Sequence, residues 1–214
     1  MGNVAILAVT GLNREAKIVA GPGVIALASG GDIATLATRI EAALTPDIAG
    51  IISIGIAGAL SPSLKVGQVV IAADADSAWA DTLSAALPDA RRGLIVGSDT
   101  MLVDAASKAA LHQATGAIAV DMESHIAAAV AARHGLPFAG VRVISDGADR
   151  ALPKAAQAGM KPDGGMDIGA VLKSLAADLR QLPALIRIGM EAERAFRALA
   201  TVCRQLGPRL GFGV

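Results

Sequence analysis

Tyrosine is absent from the 214 residues, and one Trp and three Phe bring the aromatic share to only 2%. A pocket in this chain must therefore grip a flat ligand mainly with aliphatic and methionine side chains. Cysteine occurs once, at Cys203, which excludes a disulfide framework and a thiolate zinc site. His112, His125 and His134 have no ligand partners at metal-binding spacing and read as solvated helix positions, so no metal is expected. Neither sign of charge is in excess, with 19 Lys and Arg against 19 Asp and Glu. The basic residues are scattered, which removes the electrostatic footprint that nucleic acid requires. A bilayer-spanning run is also missing. Hydrophobic residues reach 53% and mean hydropathy is +0.55, yet the longest uncharged run, Ile48 to Leu64, is broken by glycines, serines and a proline. Met1 to Val9 lacks a basic leader and a cleavage site, so it reads as a first strand of a cytoplasmic protein.

What is present is an α/β pattern. Near-continuous apolar runs at Val4–Val9, Val24–Ala28, Gly50–Ile54, Val66–Ala72, Gly93–Val96, Ala117–Val120 and Phe138–Ile144 predict strands covered on both faces. Between them, Asp32 can cap a helix carrying Leu36, Ile40 and Leu44, which stops before Pro46. Glu123 to His134 forms another helix, closed by Gly135. The expected fold is a mixed, largely parallel twisted sheet flanked by helices, a three-layer sandwich. Residues 152–165 are rich in turn formers and read as a loop. A helix over Asp167–Leu182 and a second from Pro183 to about Leu206 follow. Residues 1–182 are read as the catalytic domain and 183–214 as a helical extension. Arg187, Arg194, Arg197 and Arg204 make that extension both basic and apolar, fit to pack on the domain, on a partner chain or on a membrane surface.

Chemistry concentrates at strand ends. Asp121-Met122-Glu123 opens a helix, and Ser145-Asp146 closes an apolar strand, where a carboxyl can keep a raised pKa and hold a proton for a leaving group. The glycines of Ser53 to Leu60 let a ligand approach the backbone. This stretch lacks GxGxxG, so it is no dinucleotide fingerprint. Ser29-Gly30-Gly31-Asp32 joins a strand to a helix start, where backbone N–H groups can hold an anion such as phosphate; its plainer reading is a turn with Asp32 as cap. Glu15 lies just past the first strand, near where open sheets gather ligands.

Taken in order, Gly55–Leu60, Leu64–Gly67, Gly93–Asp99, Asp121–Glu123 and Ser145–Asp149 resemble the purine nucleoside phosphorylase and methylthioadenosine/adenosylhomocysteine nucleosidase superfamily, over roughly residues 3 to 150. The Met160–Gly164 loop and the Arg180–Arg187 tail resemble its hopanoid-associated phosphorylase branch. The resemblance implies a nucleoside phosphorylase-like fold and release of adenine from a 5′-substituted adenosine, with adenosylhopane as the branch substrate. A methylthioadenosine/adenosylhomocysteine nucleosidase, or a catalytically silent nucleoside-binding relative, is the alternative. A membrane-peripheral scaffold acting through the last helix is a further reading.

The resemblance also assigns roles. Asp146 is the purine-side acid, oriented by Ser145; Glu123 binds ribose hydroxyls beneath the developing cation; Glu15 positions an attacking water. Met122, Asp121, Ala57 and Gly58 would line the sugar and base, and Met101 and Leu102 stand where relatives offer a ring-stacking Phe and its apolar neighbour. Ile56 replaces a common Ser, and Ser53 replaces a phosphate-binding Arg of one phosphorylase subgroup. Phosphate as co-substrate would then need Ser29, Gly30 and Gly31, with Arg14 or Arg39. No cofactor is implied, and a homo-oligomer acting on a small-molecule or lipid-linked purine nucleoside is expected.

Overall fold

The computed structural model describes residues 4–158 and 168–213. Eight strands form one mixed sheet: β1 (Ala5–Thr10), β2 (Val24–Ala28), β3 (Ile48–Ala59), β4 (Val69–Ala72), β5 (Arg91–Gly93), β6 (Ile95–Gly97), β7 (Ala119–Asp121) and β8 (Phe138–Asp146). The main order is β2-β1-β3-β8-β4-β5, with β6 and β7 branching from β3. Pairing is parallel except for β4 against β8 and β7 against β3. The expected mixed, largely parallel sheet is what the chain builds.

Alternate residues of β1 show why both faces are apolar. Ile6 and Ala8 join Ile52, Ile54, Val141 and Val143 under α3 (Ser77–Ala86) and α8 (Leu182–Leu206). Leu7 and Val9 face the other way, against Leu36 and Ile40 of α2 (Ile33–Ala43) and Ala127 and Val130 of α5 (Ser124–His134). Asp32 caps α2 through Thr35 N, 3.2 Å away.

Three helices absent from the sequence reading are α1 (Asn13–Val19), α3 and α4 (Ala105–Thr115). The segment expected as a loop holds the short α6 (Lys154–Ala158), and α7 spans Ile168–Ala177. The Met160–Gly164 motif and the expected helix start at Asp167 lie outside the described residues. The single expected strand Gly93–Val96 is two, because β5 pairs with β4 while β6 pairs with β7.

The C-terminal half of α8 is part of the main core: Ala195, Leu199, Val202 and Leu206 are buried in the same cluster as β1 and β3. Beyond it, the Leu210 carbonyl accepts from Trp79 Nε1 at 3.1 Å, and Phe212 meets the Trp79 ring edge-on at 4.8 Å. The N-terminal half differs, leaving Leu182, Ile186 and Met190 exposed. Among the described residues no helix is long and apolar enough to cross a membrane.

Candidate active site

β1, β2, β3 and β8 run parallel, so their C-terminal ends share one edge of the sheet, where open α/β sheets bind ligands. Glu15 follows β1. It sits in the first turn of α1 and accepts from the Leu12 N–H at 2.6 Å, satisfying a helix-start donor. Its other oxygen accepts from the Ile56 N–H of β3 at 2.7 Å. α1 is fastened from outside by Arg14, which pairs with Glu193 at 2.7 Å and lies 4.1 Å over the Phe196 ring of α8. The result is a carboxyl with 2% exposure, held by fixed backbone donors.

β7 runs against β3, with Val120 opposite Gly58, so the chain beyond it heads back along β3 toward Gly55. This carries Glu123 to the Glu15 side of the pocket. A Cβ on Gly11 would lie 3.1 Å from Glu123 Oε1 and 3.3 Å from Glu15 Oε2, so the two carboxylates converge on that glycine. Glu123 accepts from Ser29 Oγ at 2.9 Å.

The support beneath them is Arg142, buried in the middle of β8 opposite Gly55. Its Nη2 lies 2.6 Å from Asp121 Oδ2 and donates to Ser53 Oγ at 2.6 Å. Asp121 Oδ1 accepts from the Glu123 N–H, the Ser124 N–H and Ser124 Oγ at 2.7 to 3.2 Å. Asp121 was expected beside the sugar. Instead its side chain is closed off, because Arg142 and the start of α5 take both oxygens. Sequence reasoning gave Arg142 no role, although a lone cation in a strand apolar on both sides must find a buried partner.

Burial, reinforced by Glu123, raises Glu15 to about 7 against the pull of its two backbone donors and Arg142. Burial also raises Glu123, opposed first by Arg142. Both raised carboxyls thus lie on one side of the pocket, on α1 and at the start of α5. Asp146 keeps 18% side-chain exposure and pairs with Lys108 of α4, itself 1% exposed. Ser145 Oγ lies 2.7 Å from Asp146 Oδ1 and 3.1 Å from the Ala57 carbonyl, either of which can take its proton. Gly58, opposite Asp146 in the sheet, leaves room for that carboxyl: a Cβ there would lie 3.3 Å from Oδ2. Lys108 was also missed, since a lysine flanked by Ser107 and Ala109 looks like a solvent position.

Along β3, then, Glu15 is bound at Gly55–Ile56 and Asp146 lies opposite Gly58. Their separation is two to three residues of extended strand, roughly 7 to 10 Å. Met122, Met101 and Leu102 are half-buried, with Leu102 packed on Leu60, Ala117 and Val120.

The Ser29–Asp32 turn uses its donors internally. The N–H groups of Ser29, Gly30, Gly31 and Asp32 go to Thr10 O, Gly11 O, Ser29 Oγ and Ser29 O. Arg39 is spent on the Ala28 and Ser29 carbonyls. Ser53 is fully buried on Arg142. Among the described residues no group of His, Cys, Asp and Glu has a metal-holding arrangement.

Glu15, Glu123 and Asp146 thus stand along one edge of an open mixed sheet. The chain belongs to the phosphorylase superfamily, whose sequence model matches residues 72–186. Solved structures agree on the fold. A 5′-methylthioadenosine/S-adenosylhomocysteine nucleosidase from Neisseria meningitidis, bound to methylthio-immucillin-A, is 18% identical; the match covers 83% of this chain and 99% of that one, with a TM-score of 0.61. The S. pneumoniae nucleosidase of the same name, with a transition-state inhibitor, is 17% identical over 95% and 100% of the two chains, with a TM-score of 0.59. The futalosine hydrolase of Helicobacter pylori is 16% identical over 82% and 98%, with a TM-score of 0.57.

Proposed function

We propose that this protein cleaves the N-glycosidic bond of a 5′-substituted adenosine and releases adenine, with water as the nucleophile. The observation that carries the reading is the pair of buried carboxyls meeting at Gly11, one of them raised to about 7. A base at that value is half-ionised near neutral pH, where it can take a proton from water. In the proposed reaction the C1′–N9 bond breaks and its electrons pass to the purine, which takes a proton at N7 from Asp146. Positive charge builds on the ribose above Glu123, which holds its hydroxyls. Water then attacks C1′ and gives its proton to Glu15.

Water is favoured over phosphate because the turn from Ser29 to Asp32 has no free backbone donor, and Arg14, Arg39 and Ser53 are already engaged. A phosphate dianion there would also face Glu123.

For the 5′ group we propose a long apolar chain, with adenosylhopane as the substrate and hopanoid biosynthesis as the setting. The resemblance of the C-terminal segments supports it. The same reading expects a cytoplasmic homo-oligomer whose exposed Leu172, Leu179, Leu182, Ile186 and Met190 touch the inner membrane surface.

The test is adenine release from methylthioadenosine and from adenosylhopane in detergent, each with and without phosphate. Phosphate-independent release, cut about 1,000-fold to a residual measurable rate in Asp146→Asn with the fold intact, is expected; near-normal release from that variant sinks the assignment. Release that depends on phosphate overturns the choice of water. Tight nucleoside binding with no product in any condition would identify a silent relative.

A further inference from the structure

Lys108 carries no role in the reaction as written, yet it is one of the two largest side chains buried to 1% exposure or less. Asp104 caps α4 by accepting from the Ser107 N–H and Oγ at 2.8 and 2.7 Å. Lys108 projects from the next turn into the protein. Its Nζ donates to Asp146 Oδ2, to the Gly147 carbonyl at 3.0 Å and to the Arg150 carbonyl at 3.3 Å. Three ammonium hydrogens thus meet three acceptors, at the last residue of β8 and on the segment that follows it. That segment is closed by Arg150 N–H to Gly147 O at 3.1 Å, and tied to the strand-to-helix connection before α4 by Leu152 N–H to Val103 O at 2.8 Å.

We infer that Lys108 is a positioning residue for Asp146, fixing the carboxyl for purine N7 and balancing the charge left when its proton departs. Burying an ammonium costs several kcal/mol unless its partners repay it. A turn needs no cation to hold it, since neutral donors close turns throughout this fold. A carboxyl that hands over a proton can use one: the O–H bond of Asp146 breaks, an N7–H bond forms, and the carboxylate that develops meets a fixed positive partner without reorganisation. Ser145 beside Oδ1 and Lys108 on Oδ2 together fix the carboxyl plane.

The inference rests on the proposed release of adenine. The test is a double-mutant cycle on the full chain, with kcat and KM for adenine release measured in wild type, Lys108→Met, Asp146→Asn and the double variant. Lys108→Met is expected to lower kcat about 100-fold with KM little changed, the range of one general-acid contribution. In the Asp146→Asn background the same change should cost almost nothing, because residues acting as a unit are non-additive. Lys108→Arg, which keeps the charge, recovers part of the loss and serves if the Met variant does not fold. Equal losses in both backgrounds, or a loss confined to KM, overturn the role. A wild-type protein that releases no adenine from any adenosine nucleoside overturns the reading of function itself.

Discussion

The carboxylate of Glu15 occupies the space that any side chain at residue 55 would need: a Cβ on Gly55 would lie 2.7 Å from Glu15 Oε1. The glycine is there because an acid had to reach the backbone of β3, where the Ile56 N–H holds it.

Gly55→Ala therefore displaces the carboxyl. The expected outcome is a folded protein with kcat for adenine release down by about 100-fold, since a misplacement near 1 Å carries that penalty. Circular dichroism alongside kinetics checks it; unchanged kcat would show that Glu15 does not act from this position.

Glu15 also links stability to pH. Its value in the fold is raised from 4.5 to about 7, so the fold binds a proton that the unfolded chain has released. The stabilisation is fully present below 4.5 and lost as pH rises through about 7, a swing of roughly 3 kcal/mol. Glu123, raised by burial too, adds in the same direction. Thermal melts of wild type and Glu15→Gln between pH 4.5 and 8 should show wild type losing ground steadily as pH rises. In kinetics, the wild-type rate should climb through the same region as the base ionises, and Glu15→Gln should lose both rate and climb.

Arg142 holds Asp121 and Ser53 and pulls on both buried carboxyls. Arg142→Leu removes the cation and leaves the buried charge of Asp121 unbalanced, with only the donors of Glu123 and Ser124 on Oδ1, a loss of about 3 to 5 kcal/mol. Arg142→Lys keeps charge but not the planar guanidinium whose Nη2 meets Asp121 and Ser53 while Nη1 donates to the Val141 carbonyl. The Lys variant is expected to fold with a lower melting temperature, and with the pH at which activity rises moved upward. An unmoved pH profile would mean that the two glutamates do not sense residue 142.

Leu199 of α8 is fully buried among core residues of the sheet and α3. Leu199→Ala should cost about 2 to 5 kcal/mol in denaturant unfolding. An exposed neighbour on the same helix, Met190→Ala, should change stability by less than about 0.5 kcal/mol.

How much of this was readable from the chain varies by element. β1, β2 and β8 announce themselves as near-continuous apolar runs, and α2 through its Asp32 cap and its Leu36 and Ile40 stripe. α3 and α4 do not, because their alanine-rich segments carry weak apolar periodicity. The Gly93–Val96 run is read as one strand since sequence does not reveal that each half has a different neighbour. In the site, Glu15, Glu123 and Asp146 are visible as carboxylates at the ends of apolar runs. Their supports are harder to see. Arg142 could have been singled out by its apolar neighbours in the strand, whereas nothing local separates Lys108 from a surface lysine. Only the path of β8 past α4 makes it a partner of Asp146.

The last buried side chains of the fold, Leu206 and Leu210, lie in one cluster with Ile6 and Ala8, near the opposite end of the sequence. A polypeptide emerging from the ribosome at roughly 5 to 20 residues per second thus makes its first strand long before the helix that covers it. The sheet face under α8 stays open to water, and to other nascent chains, until that helix has been made. The exposure of this face to aggregation is set by the time needed to make the residues between β1 and α8.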